Sequence, residues 1–288
     1  MNKKVSTARL SIISNSLLIV LKVVAGKISG SVSIISEAIH SGMDLLAAII
    51  AFFSVSKSDT PPDTKHPYGH GKIENVSGVI EAVLIFVAAV WIIYEAIHKL
   101  LNPTGVEQVG IGTVVMAAAA LVNFFVSRRL YKVARETDSI ALEADALHLK
   151  TDVYTSAGVA AGLLLIWITG AHFLDPLIAI SVAILILKES FDLLRNAFYP
   201  LLDTSLSDEE NKIIRDEISE RRLLFHNLKT RKSGHYRFAD LHLELPENME
   251  LKEVHQICDE IEVALNQKLN NLEITIHVEP VHSEVNNK

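Results

Sequence analysis

Residues 37–44 read Glu-Ala-Ile-His-Ser-Gly-Met-Asp, and residues 145–152 read Asp-Ala-Leu-His-Leu-Lys-Thr-Asp. Each octet opens on a carboxylate, places a histidine three residues later, and an aspartate four residues after that. Residues three and four apart share one face of an α-helix. Glu37, His40 and Asp44 therefore form one stripe, and Asp145, His148 and Asp152 another. Both octets lie inside long apolar runs. An ionisable group there costs several kcal/mol unless it is paired or faces a wet cavity, so it points to function.

Working outward, six apolar stretches approach or exceed the length that crosses a bilayer, about 20 residues. They are Leu10–Ile28, Val32–Val55, Val76–Leu101, Val109–Val126, Ala141–Thr169 and Phe173–Leu194. Short breaks separate them, such as Ser29-Gly30-Ser31 and Asn102-Pro103. Lys3, Lys4, Arg9, Lys57, Lys65, Lys72, Arg128, Arg129, Lys132, Arg135, Lys188 and Arg195 flank them on one side, against Lys27 and Lys99 on the other. The excess of positive charge marks the cytoplasmic side, so both termini are expected in the cytoplasm of a cell whose plasma membrane the chain crosses. The N-terminal apolar run has no small-residue cleavage site and reads as a first span rather than a leader.

The last part of the chain is chemically different. Residues 205–288 carry 17 acidic and 11 basic residues, while residues 1–204 are close to neutral. Asp208–Arg222 reads as an amphipathic helix, Leu224–Arg231 and Arg237–Leu245 as strands, Leu251–Leu269 as a helix and Leu272–Val278 as a strand. The expected fold is thus an α-helical membrane protein with six transmembrane helices in residues 1–204, followed by a cytoplasmic α+β domain of order αββαβ in residues 205–288. With 49% hydrophobic residues and one cysteine, Cys258, the chain is neither disordered nor disulfide-stapled, and its acidic balance excludes a basic nucleic-acid binder.

Three constellations carry metal chemistry. If the helices bearing the two octets pack face to face, His40, Asp44, His148 and Asp152 offer two nitrogens and two oxygens. Such a set suits tetrahedral Zn²⁺, whereas Mg²⁺ and Ca²⁺ prefer oxygen alone. Cadmium, cobalt and iron(II) also fit. Glu37 and Asp145, one turn away, suit either proton handling behind the ligands or the lining of a solvated vestibule. In the loop after the second stretch, Asp63, His66 and His70 lie beside Gly69 and Gly71, as a metal site or as a polar turn. The tail holds half of the 12 histidines: His226, His235, His242, His255, His277 and His282. Glu279 follows His277 by two residues and shares its strand face. These read equally as a cluster that binds divalent cations or as scattered surface histidines.

Taken together, the repeated His-x-x-x-Asp, the loop motif His66-x-x-x-His70-Gly71-Lys72 and the Leu202-Asp203 lead into the tail resemble the cation diffusion facilitator family, the zinc-type bacterial transporters in particular. The resemblance covers nearly the whole chain. It implies a homodimer that exchanges a divalent metal for protons, with His40, Asp44, His148 and Asp152 as the transport site. It further implies a loop site at Asp63, His66 and His70, and regulatory metals at His226, His242, His255, His277 and Glu279 in a metallochaperone-like tail. Lys72 and Asp203 would form an ionic contact between protomers. Some relatives carry Asp where this chain has His40, and close relatives carry Asp where it has Glu279; His235 is extra. Two rivals leave features unexplained. An intramembrane metalloprotease lacks its HExxH here, and a sensor merely anchored by its spans has no use for the intramembrane His/Asp pairs.

Overall fold

A computed structural model describes residues 3–29, 32–102, 111–169 and 173–281. It divides into two compact units, Met1–Phe198 and Tyr199–Lys288.

The first unit consists of α1 (Lys3–Ser29), α2 (Val32–Ser58), α3 (Lys72–Leu101), α4 (Ile111–Thr137), α5 (Ile140–Thr169) and α6 (Leu174–Phe198). Helices outrun their apolar stretches. α1 begins at Lys3 rather than Leu10, and α4 continues past Val126 to Thr137. Lysine, arginine and glutamate are good helix formers, so nothing stops the helix where the apolar run ends. α1, α2, α4 and α5 pack around one another, while α3 pairs with α6 and both lean on α5. Small side chains permit the close approach: Ala47, Ala48 and Ala51 on α2, Ala82 and Ala89 on α3, and Ala141, Ala144 and Ala146 on α5 are all buried. Gly78 marks one close approach. A Cβ there would lie 3.1 Å from Ala197 Cβ and 3.3 Å from Ile140 Cγ1.

Outward faces are apolar. Leu10, Ile13, Leu17, Val20, Leu21 and Val24 are exposed along α1, and Val76, Ile80, Val83, Val87, Trp91 and Tyr94 along α3. Continuous stripes of this kind are a liability in water and natural against lipid. Among the described residues, Lys3–Ala25 and Lys72–His98 are long and apolar enough to cross a membrane by length and composition alone. Carboxylates interrupt the apolar runs of α2 and α5.

At one end of the bundle the buried Glu74 joins several helices. It receives the Lys4 ammonium at 3.2 Å, the Ser58 hydroxyl at 2.6 Å and the Ser139 hydroxyl, while Lys4 also reaches Asp59 at 2.9 Å. A buried carboxylate is tolerable only with such partners.

The second unit begins with a single 3₁₀ turn, Tyr199–Leu202, followed by α7 (Asp208–Glu220), β1 (Leu224–Ser233), β2 (Tyr236–Leu245), α8 (Leu251–Lys268) and β3 (Leu272–Pro280). Ser207 and Glu210 start α7 with a reciprocal capping box. β1 and β2 form an antiparallel hairpin whose tip needs the positive φ of Gly234, and β3 adds in parallel to β2 after α8. The result is a mixed sheet in the order β1-β2-β3, the αββαβ order read from sequence. Alternation assigns the two faces. Ala239, Leu241, Leu243 and Leu245 of β2 bury against Ile214, Ile218, Ile261 and Leu265 of the helices, joined by Ile274, Ile276 and Val278 of β3. His242, His277 and Glu279 alternate with these core residues and fall on the opposite face.

Candidate metal centre

α2 and α5 bring Asp44, His148 and Asp152 together, with a potential ligand atom of each within 4.8 Å of the others. His148 Nε2 lies 3.0 Å from Asp44 Oδ1. Asp44 is 4% exposed, so water screens little of this contact. Neighbouring helices support the ligands. The Asn123 amide of α4 donates to Asp152 Oδ2 at 3.3 Å, and the Asn15 amide of α1 donates to the Asp44 carbonyl at 3.4 Å. His40 lies one turn before Asp44 on α2 and Glu37 nearly one turn before that, but their side chains lie outside the described ones. Asp145 is fully buried behind the cluster, where it accepts from the Ser11 hydroxyl at 3.1 Å. An aspartate pair and an imidazole at a largely buried helical interface offer the mixed N/O donor set of a transition-metal site.

Lys150, between two of these residues in sequence, leaves the cluster altogether. Its ammonium reaches both carboxylate oxygens of Glu189 on α6, at 2.9 and 2.8 Å, and lies 5.7 and 5.1 Å from the Tyr131 and Tyr154 ring centres. This ion pair lines a separate cavity of about 850 Å³ between α4, α5 and α6.

In the loop between α2 and α3, Asp63 Oδ1 accepts from the Lys65 and His66 backbone N–H groups at 2.8 and 2.7 Å. The His66 N–H, chiefly, holds the Asp63 carboxyl below the usual carboxylate range, against a smaller desolvation cost. His66 Nδ1 lies 3.2 Å from Asp63 Oδ1 and His70 Nε2 3.4 Å from Asp63 Oδ2, with the two rings 4.5 Å apart. The positive φ of Gly69 folds the loop back so that both histidines meet one aspartate. Lys72 opens α3 immediately afterwards.

The tail presents a row of histidines. Strand register pairs His226 with His242, and His242 with His277. Glu279 gathers them: its carboxylate is 2.8 Å from His242 Nδ1, 3.3 Å from His226 Nε2 and 3.5 Å from His277 Nε2. Glu244 adds a contact of 3.1 Å to His226 Nδ1. Partial burial works to raise the Glu279 carboxyl, but the His242 hydrogen bond and the surrounding imidazoles prevail and hold it below its ordinary range. Potential ligand atoms of His226, His242 and Glu279 lie within 4.8 Å of one another. His255 stands apart on α8, exposed and 3.6 Å from Asp259. Asp203 pairs with Arg231 at 3.6 Å, the His235 ring packs on Tyr236, and His282 lies outside the described residues.

Sequence reading missed Asn15, Asn123, Glu244 and Glu81. The amides come from other helices, with no fixed spacing to betray them, whereas Glu244 follows His242 by two residues on β2 and shares its strand face. Glu81 was legible as a carboxylate within an apolar run.

Residues 8–202 match the cation efflux transmembrane domain, and residues 206–281 match the cytoplasmic domain of cation efflux proteins. The chain therefore belongs to the cation efflux family, the cation diffusion facilitators, whose members are membrane transporters rather than enzymes. It is 37% identical over 264 residues to a Synechocystis protein described as the uncharacterized transporter sll1263, which covers 91% of this chain and 85% of that one. It is 32% identical over 267 residues to the cation-efflux pump FieF of Citrobacter koseri and to FieF of Escherichia coli K12, each covering 92% of this chain and 89% of the relative. A solved structure of CzrB, described as a candidate zinc transporter, shares 41% identity over 27% of this chain and all of its own length, with a TM-score of 0.26.

Proposed function

We propose that the chain exports a divalent transition metal, zinc first, from the cytoplasm in exchange for protons. The observation that carries this is the convergence of Asp44, His148 and Asp152 between α2 and α5. His40, one turn from Asp44, completes a two-nitrogen, two-oxygen set that favours zinc, with cadmium, iron(II) and cobalt as competing cargo. Its relatives include proteins named as cation-efflux pumps.

Metal binds neutral imidazole and carboxylate, so binding displaces protons and protons displace metal. Histidine titrates near neutrality, which poises such a site between its two loads. All six helices of the first unit cross the plasma membrane, with both termini cytoplasmic. Rigid-body motion of helices about the site gives access to each side in turn. The chain works as a homodimer, a reading that its match to a family of dimeric cytoplasmic domains supports, with Lys72 and Asp203 in ionic contact between protomers. Asp63, His66 and His70 form a loop site. The His226, His242, His277 and Glu279 row, with His255, holds regulatory metal and favours one arrangement by differential affinity.

Asp152→Ala is the test. Purified variant in sealed vesicles is expected to lose zinc uptake while remaining folded and dimeric; full uptake would overturn the site assignment. His40→Asp is expected to move preference from zinc toward harder or larger ions, and unchanged zinc-over-cadmium discrimination would remove His40 from the ligand set. A membrane-anchored sensor would bind metal in both proteins and move it in neither.

A further inference from the structure

Glu81 of α3 and Asp145 of α5 are both fully buried, and the transport reading uses neither. Each has one serine partner: Ser77 donates to Glu81 Oε1 at 3.2 Å, and Ser11 to Asp145 Oδ1 at 3.1 Å. The second oxygen of each, Glu81 Oε2 and Asp145 Oδ2, meets no hydrogen-bond partner among the described residues. The two side chains sit where α3 and α5 interlock, since Ala82 and Ile85 pack with Ala144 and Leu147 in one cluster. They act on each other electrostatically, and the charged groups that reach the pair are His148 on α5 and Asp44 on α2. The buried face that α6 contributes to this cluster carries Ile186 and Leu193, and α1 contributes the neutral Ser11.

Glu74 provides the contrast within the same bundle. It is equally buried, yet it has an ammonium and two hydroxyls to hold its charge. A carboxylate with one serine and an orphaned oxygen has nothing comparable, and burial of an uncompensated charge is among the costliest arrangements in a protein. An uncharged carboxyl avoids most of that cost.

We propose that Glu81 and Asp145 form a proton store behind the metal site, carrying at least one proton while the site is metal-free. This rests on the reading of Asp44, His148 and Asp152 as the transport site. When a divalent cation arrives there, its charge favours the ionised form of the pair. A carboxyl O–H bond breaks, the proton leaves to water, and the carboxylate remains, its charge offset by that of the cation. When the metal departs, a proton returns to the same oxygen. The ligand of this second site is thus the counter-transported proton, bound apart from the metal ligands.

Infrared difference spectroscopy of the purified full chain, with zinc alone as the titrant, tests this directly. Wild-type protein is expected to lose a protonated-carboxyl C=O band on zinc addition. Glu81→Gln and Asp145→Asn, close in shape to the originals, are each expected to weaken or remove that band while still binding zinc. Calorimetry in buffers of different ionisation enthalpy is expected to show fewer protons released per zinc in each variant, by up to about one. Unchanged band loss and proton release in both variants would overturn the proposal, as would a wild-type spectrum with no such band. Should a variant fail to fold, the wild-type spectrum and the other variant decide. Asp152→Ala separates this from the parent reading. If that variant binds and moves zinc normally, the transport-site assignment falls. The pair then stands or falls on whether Glu81→Gln removes a protonated-carboxyl band from the metal-free chain.

Discussion

Asn123→Ala separates what positions the metal ligands from what holds the bundle together. The Asn123 amide donates to Asp152 Oδ2 at 3.3 Å, while its own Oδ1 meets no partner among the described residues. Hydrogen bonds to charged groups contribute about 1.5–3 kcal/mol, and a length of 3.3 Å belongs at the weak end of that range. About 1.5 kcal/mol corresponds to roughly tenfold in affinity. Partners that orient metal ligands typically cost about 10–100-fold when removed. Zinc affinity is therefore expected to fall about tenfold or somewhat more. Bundle stability should change little, because the truncation also removes a buried oxygen that has no partner. The assay is chelator competition on purified chain carrying His66→Ala and His242→Ala, which silence the loop and tail clusters, with thermal melting alongside. Affinity equal to the parent's would refute the argument. A matching fall in melting temperature would show that Asn123 acts on packing rather than on Asp152.

Three further outcomes follow from other parts of the molecule. The Lys268 ammonium, 2.6 Å away, and Arg221 hold the Glu217 carboxyl below its ordinary value despite some desolvation. Its stabilising contribution is present above the unfolded pKa of about 4.3 and is lost as pH falls through the lower folded value. Acid titration of tail unfolding should therefore show a shallower loss in Glu217→Gln, and parallel curves would contradict this. A double-mutant cycle on Lys150→Met and Glu189→Gln should give a coupling of about 1 kcal/mol, the upper end for partly exposed pairs, with zinc affinity untouched; a coupling near zero would dismiss the ion pair as a structural contact. Gly78→Val should lower the melting temperature at a cost of about 1–3 kcal/mol from overpacking against Ala197 and Ile140, and Gly78→Ala should be milder. Full stability of the valine variant would mean that α3 and α6 can separate freely.

What the chain discloses before folding depends on how local the information is. Helix periodicity puts Asp44 on the same stripe as His40, and Asp152 on that of His148, because the spacing is intrinsic to the helix. That α2 and α5 then bring Asp44 Oδ1 to 3.0 Å from His148 Nε2 is a tertiary fact. Strand alternation likewise sorts His277 and Glu279 onto one face. The alignment of His226, His242 and His277 in a row depends instead on register, and on an irregularity between His226 and Lys229. Lys150 looks anomalous in an apolar run because its partner, Glu189, lies 39 residues away on another helix. Asn123 carries no spacing signal relative to Asp152, and an amide in an apolar helix is equally at home as helix-to-helix glue. The membrane-unit helices extend past their apolar runs for a simpler reason. Apolar runs mark where hydrocarbon can be met, not where the backbone stops hydrogen-bonding.

The central claim is that metal crosses the membrane through Asp44, His148 and Asp152 in exchange for protons. Simultaneous recording of lumenal zinc and lumenal pH in proteoliposomes, started by external zinc against an acidic lumen, tests it most directly. The account predicts zinc entry with matched lumenal alkalinisation in the wild type, and neither signal in Asp152→Ala. Zinc entry with no change in lumenal pH, or equal fluxes in the two proteins, would contradict it.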